Sequence, residues 1–425
     1  MRAILAATFL GLLLAPPAAR CSDTLFTNEV AYDTTTDAPD QQADSSNGCC
    51  GHQCSAWFGP VAEFLCSDTV FAESCIDRLL EKVLQKSKDV HVPVGIGAWH
   101  WFQLDSSGRG DNGYGARQVR GTYFYYVTVD PEVELGCGDR VGGHLEYEFR
   151  DGDPLRTFYS RTAWSYEAYG YYKSERLGTL KAGQVVTRFG IPWGGGFWTS
   201  VPGFDGFVRD PDYGVSWEKT TNVDERLKLE SYVQYFFHED GVNNSFAGAD
   251  SESFAGVHEK NTGVVRLVPT WTSCDGQSSL SIGLSGMVGE IDSRRSDFAS
   301  NVASAWGLDA SYKQDRLRVF GQAVQVFGRR SPERYVSGGP SNSITDFYFG
   351  IEYTLGHTLY RFNYGLGLDA NPSGRHEMFR VGTQTRLSNH ADFMIEYVHE
   401  NIYGHQKYGH LEYFNAVELI LFWHY

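Results

Sequence analysis

From about residue 91 to the end of this chain, apolar and polar side chains alternate with a period of two, segment after segment, with little but turns between them. That period belongs to extended chain, because successive side chains of a strand point to opposite faces. The late segments show it most plainly. Phe347, Phe349, Ile351, Tyr353 and Leu355 share one face, opposed by Tyr348, Gly350, Glu352 and Thr354. Tyr360, Phe362, Tyr364, Leu366 and Leu368 oppose Arg361, Asn363, Gly365, Gly367 and Asp369. Phe379, Val381, Thr383, Thr385 and Leu387 oppose Arg380, Gly382, Gln384 and Arg386. The last segment places Val417, Leu419, Leu421, Trp423 and Tyr425 on one side and Glu418, Ile420, Phe422 and His424 on the other, so the chain stops on an aromatic residue.

About sixteen such segments are expected, near 92–103, 115–129, 141–151, 162–173, 178–189, 212–220, 226–238, 260–273, 278–290, 303–313, 316–327, 345–355, 358–369, 376–387, 391–400 and 411–425. The connections between them alternate in length. Short ones lie near 174–177, 221–225, 274–277, 314–315, 356–357 and 388–390. Long ones lie near 190–211, 239–259, 291–302, 328–344, 370–375 and 401–410. A soluble sandwich has no reason to sort its loops this way, whereas a barrel that crosses a membrane carries short turns on one side and long loops on the other. The fold class expected is therefore all-β: a transmembrane antiparallel β-barrel of about sixteen strands, with apolar faces toward lipid and polar faces toward the lumen. With the first strand rising from the periplasm, the short turns and Tyr425 lie on the periplasmic side, and the last strand pairs with 92–103 to close the barrel. Sixteen strands should leave an aqueous channel.

Composition excludes several alternatives. Outside the N-terminus there is no apolar run of about 18 residues, so a helical membrane protein is ruled out, while a strand-built one is invisible to that test. Aromatic residues make up 15%, with 47 Gly and only 4 Met, as suits a large β protein. The net charge of −16 argues against nucleic acid as a partner. Met1–Arg2, the apolar Ile4–Leu14 and Ala15–Ala19 read as a secretory signal peptide, giving 1–21 as the leader; Arg20 fits poorly before a lipidated Cys21. Residues 22–48, rich in Asp, Thr and Ser, are expected to be a flexible linker. Residues 49–90 form a small Cys-rich periplasmic segment, with a short helix over about 70–86 from the spacing of Phe71, Cys75, Leu79, Leu80 and Val83. Residues 91–425 are the barrel.

In an exported chain, clustered cysteines point to disulfides. The candidates are Cys49, Cys50, Cys54, Cys66, Cys75, Cys137 and Cys274, with the pairing open; Cys137 and Cys274 fall in connections on the short-turn side. Cys49, Cys50, His52 and Cys54 match no zinc spacing, and His399, His405 and His410 read as ordinary loop histidines, so no metal site is expected. No nucleophile, base and orienter converge on one wall and no phosphate-cradling strand-to-helix loop occurs, so neither catalytic residues nor a cofactor are expected.

The connection from Gly190 to Pro211 is dense in Gly, Pro and aromatics, with Trp193, Phe197, Trp198, Phe204 and Phe207. It is expected to fold inward as a constriction, flanked by Arg188 and Arg209 and carrying Asp205. Just before it, Glu167–Ala–Tyr169 is followed by Gly178–Thr–Leu180–Lys–Ala–Gly183–Gln184–Val–Val–Thr–Arg188–Phe189–Gly190. This stretch resembles the phosphate- and polyphosphate-selective porins, sharply over 164–217 and in architecture over 91–425. The resemblance implies sixteen-stranded homotrimers that pass small anionic solutes by diffusion. The inward faces depart from it. Arg120, Arg150, Lys228, Arg266, Arg361, Arg380 and Arg386 stand against Glu146, Glu148, Glu230, Glu352, Glu396 and Glu418, whereas selection by charge needs a ring of one sign. Phosphate selectivity is therefore not carried over.

The expected function is an outer-membrane porin for passive diffusion of small hydrophilic solutes or ions, embedded in outer-membrane lipid. The pore residues are Arg188, Asp205, Arg209, Arg266, Glu352, Arg361, Arg380 and Arg386. The alternative is a structural or adhesive surface barrel anchored through the Cys-rich segment.

Overall fold

The computed structural model describes residues 90–108, 116–136, 139–151, 163–191, 211–238, 258–292, 301–327, 343–369, 375–403 and 413–425. The Cys-rich segment, its expected helix and most of the long-loop side lie outside these residues.

The strands are β1 (Val90–His91), β2 (Val94–Gly108), β3 (Ala116–Val129), β4 (Glu132–Gly136), β5 (Asp139–Asp151) and β6 (Ala163–Ser174). They continue as β7 (Gly178–Val186), β8 (Pro211–Asn222), β9 (Leu227–His238), β10 (His258–Thr272), β11 (Ser278–Asp292) and β12 (Asn301–Gln314). The last six are β13 (Leu317–Phe327), β14 (Ser343–Leu355), β15 (Thr358–Asp369), β16 (Arg375–Ser388), β17 (Ala391–Tyr403) and β18 (Tyr413–His424). All but β1 and β4 form one closed antiparallel barrel of 16 strands. Closure is made by β18 against β2, in register from Tyr413↔Gly108 to His424↔Gly97. Two further bonds extend it: Ile96 N–H donates to Tyr425 O at 3.0 Å and Tyr425 N–H to Ile96 O at 2.7 Å. Every backbone group along this seam is thereby paired, which hydrocarbon surroundings require.

The outward faces carry the apolar residues of the alternation. Phe102, Leu145, Leu284, Val302, Leu308, Phe347 and Val417 are all exposed, and Val302 reaches 64%. A soluble monomer rarely leaves a contiguous apolar surface beyond a few hundred Å². Here a band of exposed Val, Leu, Ile, Phe and Tyr recurs on successive staves, which decides for lipid against a sandwich. The short connections fall on one rim, where Asp315 N–H bonds Gln277 O, Thr354 N–H bonds Arg316 O, and His424 N–H bonds His390 O. His390 stacks on Tyr425 there at 4.7 Å.

The turn at 273–277 is built by Asp275. Its carboxylate accepts from Ser273 Oγ and from the Gln277 N–H, and these bonds hold its pKa below the ordinary carboxylate value. A depressed acid stabilises the turn above its unfolded pKa, and the effect is lost as pH falls through the folded value. Amide-exchange protection of Gln277 is therefore expected to persist at neutral pH and to be lost only as pH falls below the ordinary aspartate value of about 3.9. Cys274 is exposed in this turn and has no disulfide partner among the described residues; the other disulfide candidates lie outside them.

Two features differ from the sequence expectation. The connection between β3 and β5 contains β4, which pairs with the start of β5 (Glu132↔Gly142, Val133↔Val141) and with β1 (Val90↔Val133). The strand expected over 178–189 stops at Val186. Beyond it the backbone donors turn to side chains inside the barrel instead of to a neighbouring strand.

Candidate functional site

That turn from wall to lumen is the central feature of the interior. Arg188 N–H donates to Gln234 Oε1 of β9 at 2.6 Å, Gly190 N–H to Ser285 Oγ of β11 at 3.1 Å, and Ile191 N–H to Gln322 Oε1 of β13 at 2.7 Å. The chain thus crosses from β7 over the inner faces of successive staves. Phe189 anchors the crossing. It is 2% exposed and belongs to one buried cluster with Val185, Phe236, Val264, Met287, Ala303, Ala305, Val324 and Val326, side chains on the opposite face from the lipid-exposed Val265, Val288, Val302 and Phe327. An inner wall that met only water would not be apolar over this many strands; burying one Phe side chain contributes about 1.5–3 kcal/mol. Ile191 then joins Phe320 and Tyr348 on β13 and β14. Gly190 has φ +70°, and a Cβ there would lie 2.8 Å from Gln322 Oε1. Gly190→Ala should therefore break the Ile191–Gln322 bond and raise protease cleavage after this point, as mass spectrometry of digested folded protein would show.

Next to Ile191 the inner wall becomes densely charged. Tyr348 Oη accepts from Arg380 Nη2 at 3.0 Å, and Arg380 Nη1 lies 3.8 Å from Glu396 Oε1. Arg318 pairs with Glu352 at 3.2 Å. Arg361 donates to Gln384 at 2.8 Å, and Gln103 donates to Glu418 at 3.0 Å. Register sets these in one belt across the staves: Arg318↔Glu352, Glu352↔Arg361, Arg361↔Gly382, Gly382↔Glu396, Glu396↔Glu418 and Glu418↔Gln103. Arg380, Glu396, Glu418 and Gln103 are all 0% exposed. Screening is weak at such positions, so their fields act at short range with full strength. Glu396 and Glu418 face each other directly, a like-charge pairing that costs a sheet stability.

The structure sorts the expected pore residues into three groups. Glu352, Arg361 and Arg380 come together in the belt beside Ile191. Arg188, Arg266 and Arg386 lie apart from it. Arg188 has Nε 3.7 Å from Glu218 and its guanidinium over the Tyr232 ring at 5.9 Å. Arg266 grips Asp309 through two bonds of 2.6 and 3.0 Å and also reaches Ser285 at 2.7 Å, so it is a structural ion pair within the wall. Arg386 lies opposite Asp392 at the short-turn end. Asp205 and Arg209 lie outside the described residues. Sequence reading missed Phe189 with its apolar inner patch, and also Tyr348, Gln103 and Gln322. The available signal was apolar residues on the inward as well as the outward face of β10–β13.

No family model matches the chain, and no curated protein matches it. Solved structures do. OmpF of Salmonella typhi, in complex with daunomycin, has a TM-score of 0.57 at 11% identity over 79% of this chain and 97% of that one. The outer-membrane channel DcaP of Acinetobacter baumannii gives 0.56 at 15% identity over 80% and 99%. An anion-selective porin from Comamonas acidovorans gives 0.56 at 13% identity over 79% and 100%. The chain therefore has the fold of bacterial outer-membrane porins, and the likeness is to that architecture at large. These structures do not confirm the phosphate-selective family that the 164–217 stretch resembles, and among the described residues Arg318, Glu352, Arg361, Arg380, Glu396 and Glu418 are mixed in sign.

Proposed function

We propose that this protein is an outer-membrane porin through which small hydrophilic solutes or ions diffuse passively, and that residues 190–211 fold into the barrel and narrow it. The observation that carries this reading is the course of Thr187–Ile191 across the inner faces of β9, β11 and β13. A loop that continues from Ile191 starts inside the barrel, beside Tyr348 and Arg380. The burial of Arg380, Glu396, Glu418 and Gln103 fits a segment laid over that wall. Opposed charges on the belt make a local transverse field, which suits a weakly selective channel better than a filter for one ion. The bacterial outer membrane as location, the periplasmic side for the N-terminal segment and a homotrimer belong to the same proposal. The position of β1 beside β4 on the short-turn side supports the second of these.

Conduction is the decisive test, because a lumen closed throughout by protein passes no current. Purified protein folded in detergent should insert into planar bilayers in discrete current steps; folded protein that gives none overturns the reading. Replacing Glu396 and Glu418 together by Gln should shift the reversal potential in a salt gradient toward the anion limit. An unchanged potential would place the narrowest point elsewhere.

A further inference from the structure

A second cluster of polar residues lies on the inner wall of β5 and β6 and is used by neither the belt nor the crossing. His144 and Glu146 on β5 and Glu167 on β6 each offer a ligand atom within 4.8 Å of the others. Their arrangement follows from register. Glu146 faces Glu167 directly, His144 faces Tyr169, and the pairing slips between Glu146 and Tyr147, a bulge of the kind that re-aims side chains at sites. His144 lies flat on Tyr169 at 5.2 Å. Its Nδ1 is bonded to Asp130 Oδ1 at 2.5 Å, while its Nε2 is a buried atom with no hydrogen-bond partner. The Val186 N–H holds Glu167 Oε1 at 3.3 Å. Asp130 is fixed in turn by the backbone at the ends of the neighbouring ladders. Its N–H donates to Pro93 O at 3.0 Å, and Gly143 N–H donates to Pro131 O at 2.9 Å, between β1, β4 and β5. The barrel closes without β1 and β4, and Asp130 lies in the link between β3 and β4.

We propose that His144, Glu146 and Glu167 bind a divalent transition-metal cation, with Asp130 as the outer carboxylate that orients the imidazole. A histidine that gives one nitrogen to a carboxylate and presents the other, beside two further carboxylates, is the arrangement metal sites use. One imidazole with two carboxylate oxygens suits zinc, cobalt or nickel, whereas calcium and magnesium prefer oxygen alone. Glu146 and Glu167 are like charges on directly opposed positions, a repulsion that a cation bound between them would offset. Lys181 is directed to Glu218 at 2.9 Å, and Arg188, 3.7 Å from Glu218, is also attracted by Glu167. Ligand atoms around a tetrahedral zinc are roughly 3.4 Å apart, from metal–ligand distances of about 2.0–2.2 Å, so binding draws the two carboxylates inward by about an ångström.

The test uses Co²⁺ on the mature chain folded in detergent, with free thiols alkylated so that the cysteines cannot contribute. One equivalent should bind, with the weak visible bands of nitrogen and oxygen ligands and no thiolate charge-transfer band. His144→Gln and Glu167→Gln should each weaken binding at least tenfold. Asp130→Asn, which touches no metal, should weaken it about 10–100-fold, a loss that a role in packing alone would not produce. His390→Gln at the short-turn rim should leave binding unchanged. Absence of a Co²⁺ equivalent in the alkylated wild type, or wild-type binding by both His144→Gln and Glu167→Gln, overturns the proposal. If His144→Gln fails to fold, as judged by gel mobility before and after boiling, the isosteric Glu167→Gln and Asp130→Asn variants decide it. Metal binding is measured apart from conduction, so its outcome does not depend on the porin reading.

Discussion

Replacing Arg266 by methionine should lower the stability of the folded barrel by about 3–5 kcal/mol. Arg266 and Asp309 have side chains only 8% and 5% exposed and share two short bonds. Removing one partner strands the other as a buried charge, and that desolvation dominates the loss. The neighbourhood cannot relax to admit water cheaply, because Gly283 lies so close that a Cβ there would come within 2.6 Å of the Asp309 carboxylate. The double variant Arg266→Met with Asp309→Leu should recover most of the loss, since an apolar pair of similar volume is often neutral or better than a buried ion pair. Denaturant unfolding of the detergent-folded protein, read by tryptophan fluorescence, measures both. Equal losses in the single and double variants would show that packing, not charge, sets the cost.

Phe189→Ala should loosen the crossing chain without unmaking the barrel. Deleting a buried Phe side chain costs about 3–5 kcal/mol, and here the cost falls on the segment that Phe189 pins. The barrel ladder itself needs nothing from Phe189. Single-channel conductance is therefore expected to rise and become noisier, while heat-modifiable gel migration stays as in the wild type. Excising residues 193–208 should raise conductance further and abolish the noise. If neither change alters the current, residues 190–211 do not form the constriction, and the narrow point must be sought in the Arg380–Glu396 belt alone.

The sixteen-strand barrel and the facing of its most regular staves are legible in the order of residues along the chain. The reason is local. A period of two is a property of neighbouring residues, and lipid outside a barrel imposes the same outward pattern on Phe347, Leu284 and Val417 alike. The interior is legible there only as a set of inward residues. Arg266 and Arg380 look identical in such a reading, each an arginine on a polar face. One is a bidentate partner of Asp309 on the second strand away, and the other stands between Tyr348 and Glu396.

The metal-ligand cluster shows the same limit more sharply. His144 and Glu167 are far apart in the chain and match no spaced motif. They meet because β5 and β6 pair side by side, with a slip after Glu146, and Asp130, just past the end of β3, reaches His144 across the sheet. The short β4 carries too few residues for alternation to announce it. The course of Thr187–Ile191 was likewise hidden, since Val–Val–Thr–Arg–Phe reads as a continuing strand until its donors are seen to be taken up by acceptors on β9, β11 and β13.

Sequence by itself thus determined a closed transmembrane barrel, its lipid face, its seam between the last and first staves and the rim of short turns at which Tyr425 lies. Tertiary structure alone decided which inward groups touch. Pairing register and bulges set cross-strand neighbours, and closure of the sheet brings non-adjacent staves to one lumen; neither is encoded in any window of consecutive residues.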